Sequence, residues 1–196
     1  MFDDRLKKQI DFIIEIDKIK HIFRQTVLMD GSRNENDAEH SWHLAVMAIL
    51  LSEYAAEKNI NILRVVKMVL IHDLVEIDAG DTFCYDVKGN EDKACREQKA
   101  AERIFNILPE DQAKEVWELW EEFEDRITIE ARFAAALDRF QPMLHNYNTN
   151  GHTWVKYNIS REQVTTRNQP IEEGAPELWE YAKKMIEDSV DRGMIR

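Results

Sequence analysis

Val65-Val66-Lys67-Met68-Val69-Leu70-Ile71-His72-Asp73-Leu74-Val75-Glu76-Ile77-Asp78-Ala79-Gly80-Asp81 is the stretch that decides the fold. Its first half is apolar on nearly every side of a helix, which predicts a buried helix over about 61–79 at the centre of the domain. A buried carboxylate is costly unless it is paired or bound to a metal, so Asp73, directly behind Met68-Val69-Leu70-Ile71-His72, needs compensation. On a helix Glu76 lies one turn beyond His72, roughly 6 Å along the axis and on the same face. Gly80 ends the helix and lets Asp81 return toward the same place.

The flanking sequence repeats the helical period. With six glycines, four prolines and apolar residues at three- and four-residue steps, strands have little support and the fold class is all-α. A first helix is predicted over 4–23, with Ile10, Ile13, Ile14, Ile16 and Ile19 as its apolar side, followed by a loop over 30–36. Asp37 is placed as the cap of a second helix running to about Lys58-Asn59. Helices are further expected over 91–107, in a short segment opened by Pro109, over 129–147 with a kink or break at Pro142, after the capping box Ser160-Gln163, and over 176–191. No repeat or interdomain linker interrupts residues 1–196, which read as one domain.

Two histidines sit beside acids in apolar helical segments, in Glu39-His40 and His72-Asp73. Asp138 is similarly set, after Phe133-Ala134-Ala135-Ala136-Leu137 and before Arg139-Phe140. Singly, each could be a buried group satisfied by hydrogen bonds, and Asp138 could pair with Arg139 or Arg132. Together His40, His72, Asp73 and Asp138 form a mixed imidazole and carboxylate set on separate apolar helices, suited to one divalent metal ion. Mn, Co, Ni, Zn, Fe and Mg all remain open. Cys84 and Cys95 lack the spacing of a thiolate zinc site or a disulfide framework and read as reduced thiols.

A formal charge of −12 excludes broad attraction to nucleic acid or an anionic membrane, and any phosphorylated ligand requires a local device to offset the field. The longest apolar run, Leu44 to Leu51, is far short of the ~20 residues of a membrane helix. Met1-Phe2-Asp3-Asp4-Arg5 carries acids where a secretory signal is basic, which predicts a cytoplasmic protein. Partners are then a small phosphorylated metabolite, with no nucleic acid and no membrane; the chain is also a candidate homodimer.

The order His40, His72-Asp73, Asp138 resembles the H…HD…D signature of the HD superfamily of metal-dependent phosphohydrolases. Glu76 and Asp81 stand where its bacterial 5′-deoxynucleotidase branch and eukaryotic HD-domain relatives place catalytic acids, in a pattern like HDxxExxxGD. The resemblance covers about residues 5–150, leaving 151–196 as a C-terminal extension packing on the core. It implies an HD helical bundle with additional C-terminal helices and hydrolysis of a small phosphate monoester, a nucleoside 5′-monophosphate first among them. It implies Glu76 and Asp81 as proton-handling residues, and Arg24 as a nucleotide-holding arginine. Gln25 stands where that branch has tryptophan.

Arg33 and Arg139 are further phosphate-binding candidates. His43 is expected to support the site from behind the ligands, and His145 and His152 to lie outside it. Trp117, Trp120, Trp154 and Trp179 are expected to pack, and the acidic run Glu118 to Asp125 to be a solvated face. Two other readings stay open: an HD-type oxygenase acting on a non-phosphorylated substrate, and a module in which the metal senses a ligand or fastens helices.

Overall fold

In the computed structural model, residues 3–196 are described; Met1 and Phe2 of the N-terminal reading lie outside them. Helix α1 (Asp4–Ile16) is capped by the Asp3 side chain and ends seven residues early, giving way to a tight 3₁₀ turn over Asp17–His21. Within it Phe12 points inward and Ile10, Ile13 and Ile14 are 46–65% exposed, so of the expected isoleucine side only Ile16 and Ile19 meet the core.

The absence of strands expected from the sequence is corrected by a small antiparallel hairpin, β1 (Phe23–Val27) and β2 (Asn34–Asn36). Its burial does not alternate cleanly, since Phe23 is exposed while Thr26 and Val27 are both buried. Helix α2 (Asp37–Leu50) is capped by Asn36 and not by Asp37. Asn36 accepts from the Glu39 backbone and Glu39 reaches back to the Asn36 N–H, a complete capping box. The helix stops well before Lys58.

The predicted helix over 61–79 is three pieces: α3 (Ile62–Ile71), a 3₁₀ turn over His72–Val75, and the single turn α4 (Glu76–Ala79). Its burial is one-sided, with Val65, Met68 and Val69 inaccessible and Leu63 and Leu70 exposed at 67% and 46%. Gly80 takes φ +75 and ψ 147, a conformation essentially restricted to glycine, and turns the chain after α4 toward Asp81.

Helices α5 (Lys93–Phe105) and α6 (Glu110–Asp125) close one flank, and α6 is a full 16-residue helix where a short one was expected. Helix α7 (Ile129–Asn148), capped by Thr128, is the spine. Pro142 does not divide it, although the Asp138 carbonyl loses its usual backbone donor. The C-terminal segment forms α8 (His152–Lys156), α9 (Arg161–Asn168), α10 (Ile171–Gly174) and α11 (Pro176–Asp191), with the Ser160–Gln163 capping box in place. Gly174 lies directly on α7: a Cβ there would fall 2.2 Å from the Arg132 carbonyl oxygen.

One apolar cluster joins α2, α3 and α7 to the C-terminal helices, and a second joins α1, α5 and α6 around Leu74 and Val75. Trp120, Trp154 and Trp179 are buried as expected. Among the described residues no helix is long and apolar enough to cross a membrane.

Candidate functional site

The hairpin, the first turn of α2, the end of α3 and the middle of α7 meet at one point. The 3₁₀ turn at His72 has a local cause: with Nδ1–H donating to Val69 O at 3.0 Å, the His72 ring turns inward and leaves Nε2 as a bare acceptor. On α2, His40 Nδ1–H donates to Gln141 Oε1 at 3.1 Å, which again leaves Nε2 unprotonated.

Lone pairs therefore face lone pairs. His40 Nε2 lies 3.1 Å from Asp138 Oδ1 and 3.8 Å from Asp73 Oδ2, and His72 Nε2 lies 3.1 Å from Asp73 Oδ1 and 3.7 Å from Asp138 Oδ1. His72 Nε2 is buried with no hydrogen-bond partner. A metal bonded at roughly 2.1 Å sets neighbouring ligand atoms roughly 3.0–3.4 Å apart, so these four side chains fit a divalent cation in size, charge and donor type. Without one, a proton takes its place: burial opposes a charge on His72, but Asp73 and Asp138 outweigh it and push its pKa up to about 10. Burial and Arg24 hold His40 below its ordinary value, in the neutral form a ligand requires.

A wall of carboxylates adjoins this cluster. Glu76 is buried, Asp81 half-buried, and both line the cleft with His72, Asp73 and Asp138. Burial, then Asp73 and Asp37, raises the Glu76 carboxyl well above its ordinary pKa, and one of its oxygens has no partner. Asp81 is raised too, by burial and Asp73 against the pull of Arg24. Asp37, read from the sequence as a cap, is instead fully buried here and pushed up to about 7 by burial and Asp73. Arg24 reaches in from β1, its Nη1 donating to Asp73 Oδ2 at 2.9 Å and to Asp37 Oδ1 at 3.1 Å.

Arg33 is not brought to this point. It sits on the hairpin's exposed side, where its guanidinium donates to Glu39 at 2.9 Å and braces the α2 capping box. His43 does stand behind the ligands, but in company the sequence reading missed: Glu35 of β2 and His145 of α7, the latter expected outside the site. Gln141 joins the two clusters, its Nε2 donating to Glu35 Oε1 at 2.7 Å and His145 Nε2 at 2.8 Å, with His43 Nδ1 at 3.3 Å. A Gln at four-residue spacing from His145 is the one local signal of this arrangement. Glu35 is 106 residues from Gln141 and could not be paired with it by spacing. His152 is exposed, as expected.

Residues 16–179 match the HD domain family. A crystal structure of a predicted metal-dependent phosphohydrolase from Magnetospirillum magnetotacticum superposes with a TM-score of 0.94 at 53% identity, over 98% of this chain and 96% of that one. The human 5′-deoxynucleotidase HDDC2 is 33% identical over 136 residues, 69% of this chain. The chain spans just under two thirds of the length of such curated relatives, 65% for the human protein. A Pyrococcus furiosus protein at 24% identity, with a TM-score of 0.63, shares the fold. On the extent of the family match, this chain belongs to the HD domain family.

Proposed function

We propose that the chain is a metal-dependent phosphohydrolase that cleaves a small phosphate monoester, with nucleoside 5′-monophosphates as the substrate class, and that His40, His72, Asp73 and Asp138 hold its single divalent ion. The observation that carries the reading is the buried, partnerless His72 Nε2 facing two carboxylates, next to a cleft with further carboxylates that no ligand set requires. The deoxynucleotidase identity of the human relative supports the nucleotide class.

When bound, a divalent ion supplies Lewis-acid stabilisation of phosphoryl oxygen and acidifies a water molecule. The side chains do the rest. Arg24, fixed by Asp37 and Asp73, turns positive charge to the cleft and offsets part of the phosphate dianion. Asp81 accepts a proton from the attacking water as the new phosphorus–oxygen bond forms. Glu76, which keeps its proton to higher pH than an ordinary carboxyl, gives it to the ester oxygen as that bond breaks, releasing the nucleoside and inorganic phosphate.

We read residues 1–196 as one catalytic unit, because Trp154 and Asn168 of the C-terminal segment line the same cleft as Asp73 and Asp138. Arg33, paired with Glu39, has no part in it. The test is phosphate release from ribo- and deoxyribonucleoside 5′-monophosphates with Mn, Co, Ni, Zn, Fe or Mg, using Asp73→Ala as the blank. Turnover by the wild type alone is expected. A filled metal site with no monophosphate turned over contradicts the nucleotidase reading.

A further inference from the structure

The cleft contains a second positive region that the proposed chemistry leaves unused. Arg139 of α7 is 5% exposed and lines the cleft, yet among the described residues it makes no ion pair. Its Nη1 donates to the Ala135 carbonyl at 3.0 Å, and its Nε is buried without a partner. Arg167 of α9 and Arg126, at the end of α6, line the same cleft and likewise have no carboxylate within ion-pair distance among the described residues. Glu124 shares the rim but pairs with none of them.

Burying an unpaired guanidinium costs free energy, and placing like charges around it adds to the cost. A guanidinium keeps its charge at neutral pH, so Arg139 presents a buried cation there. In a chain of net charge −12, three arginines lining one cleft with no carboxylate within ion-pair distance fit an anion.

Arg139 directly follows Asp138 in α7, so this region adjoins the proposed metal site within one cleft. The three arginines, Arg24, Asp73 and Asp138 line one open cleft, so a single ligand can meet both regions.

We propose that Arg139, Arg167 and Arg126 form a second anion subsite, and that the favoured substrate is a phosphate monoester carrying a second anionic group, of the class of a nucleoside 3′,5′-bisphosphate. The substrate half of this inference rests on the phosphohydrolase reading; the subsite does not. Three arginines from three helices reward a ligand whose second anion is held at a fixed distance from the first.

Calorimetry on metal-chelated protein separates the two. Adenosine 3′,5′-bisphosphate is expected to bind the wild type at least about tenfold more tightly than adenosine 5′-monophosphate, a gain ordinary for a charge-assisted contact. Arg167→Ala, which removes a half-exposed side chain, should erase that preference while changing monophosphate affinity less than about twofold. Arg139→Gln should do the same, and if it fails to fold, Arg167→Ala decides. Equal affinities in the wild type, or equal losses for both ligands in Arg167→Ala, would overturn the subsite. If the preference holds but no phosphate ester is turned over with metal bound, the phosphohydrolase reading falls and the subsite stands. If both hold, kcat/KM should favour the bisphosphate in the wild type only.

Discussion

Two clusters, on either side of Gln141, each have the spacing to hold a cation: His40, His72 and Asp73 on one, Glu35, His43 and His145 on the other. They differ in what lies between the donors. In the second, the two Gln141 amide N–H groups reach Glu35 Oε1 and His145 Nε2, so a donor already stands among the acceptors, although Glu35 Oε2 stays without a partner. In the first, acceptors face acceptors and His72 Nε2 has nothing to meet. Donor type and spacing alone do not make a metal site; the bookkeeping of hydrogens does. The second cluster is the brace of the first, because the amide orientation it fixes makes His40 Nδ1 a donor and frees Nε2.

The contrast is sharpest at Glu76, whose carboxylate lies in the cleft with a ligand-type oxygen within 4.8 Å of Asp37 and Asp73. Glu76→Gln keeps the shape and removes the transferable proton, so kcat should fall by roughly 10²–10⁴ with metal content unchanged. Metal loss in this variant, measured by elemental analysis, would move Glu76 into the ligand set.

A smaller effect is expected at the joint itself. Gln141→Leu removes the acceptor that fixes the His40 tautomer and the donor that satisfies Glu35 and His145, so metal affinity should drop by roughly 10–100-fold. An unchanged affinity by metal titration would show that the two clusters are independent.

The smallest effect is a difference in pH response. In metal-free protein the raised pKa of His72 contributes stability that is complete below its ordinary value of 6.5 and is lost as pH rises through about 10. Burial lowers His43 and His145 instead, so their contribution is complete above 6.5 and is lost as pH falls below it. Melting temperatures of the chelated protein should therefore decline on both sides. His72→Gln should flatten the alkaline limb and His145→Gln the acid one, and saturating metal should remove the alkaline limb from the wild type.

The long capped helices were legible in the sequence because their signals are local. Thr128 caps α7 and Ser160 caps α9 through their own neighbours. The HD-type order of His40, His72-Asp73 and Asp138 was legible for a different reason, since acids and imidazoles stand out within apolar helices. The hairpin was not, because strands of five and three residues with Thr26 buried and Phe23 exposed have no period to read. The break at His72 escaped because a side chain bonding its own helix carbonyl leaves no trace in composition. Asp37 was taken for a cap because it begins a helix, and only the arrival of Arg24 and Asp73 makes it a buried acid. Arg167, Glu35 and His145 take their meaning from partners far along the chain.

On the proposed assignment the metal binds where lone pairs face each other and not where Gln141 already stands. Metal content per chain, measured by elemental analysis after dialysis against excess divalent ion and its removal, tests it most directly in the wild type, Asp73→Ala and Glu35→Gln. One ion is expected in the wild type, none in Asp73→Ala and one in Glu35→Gln. Retention in Asp73→Ala together with loss in Glu35→Gln would contradict it.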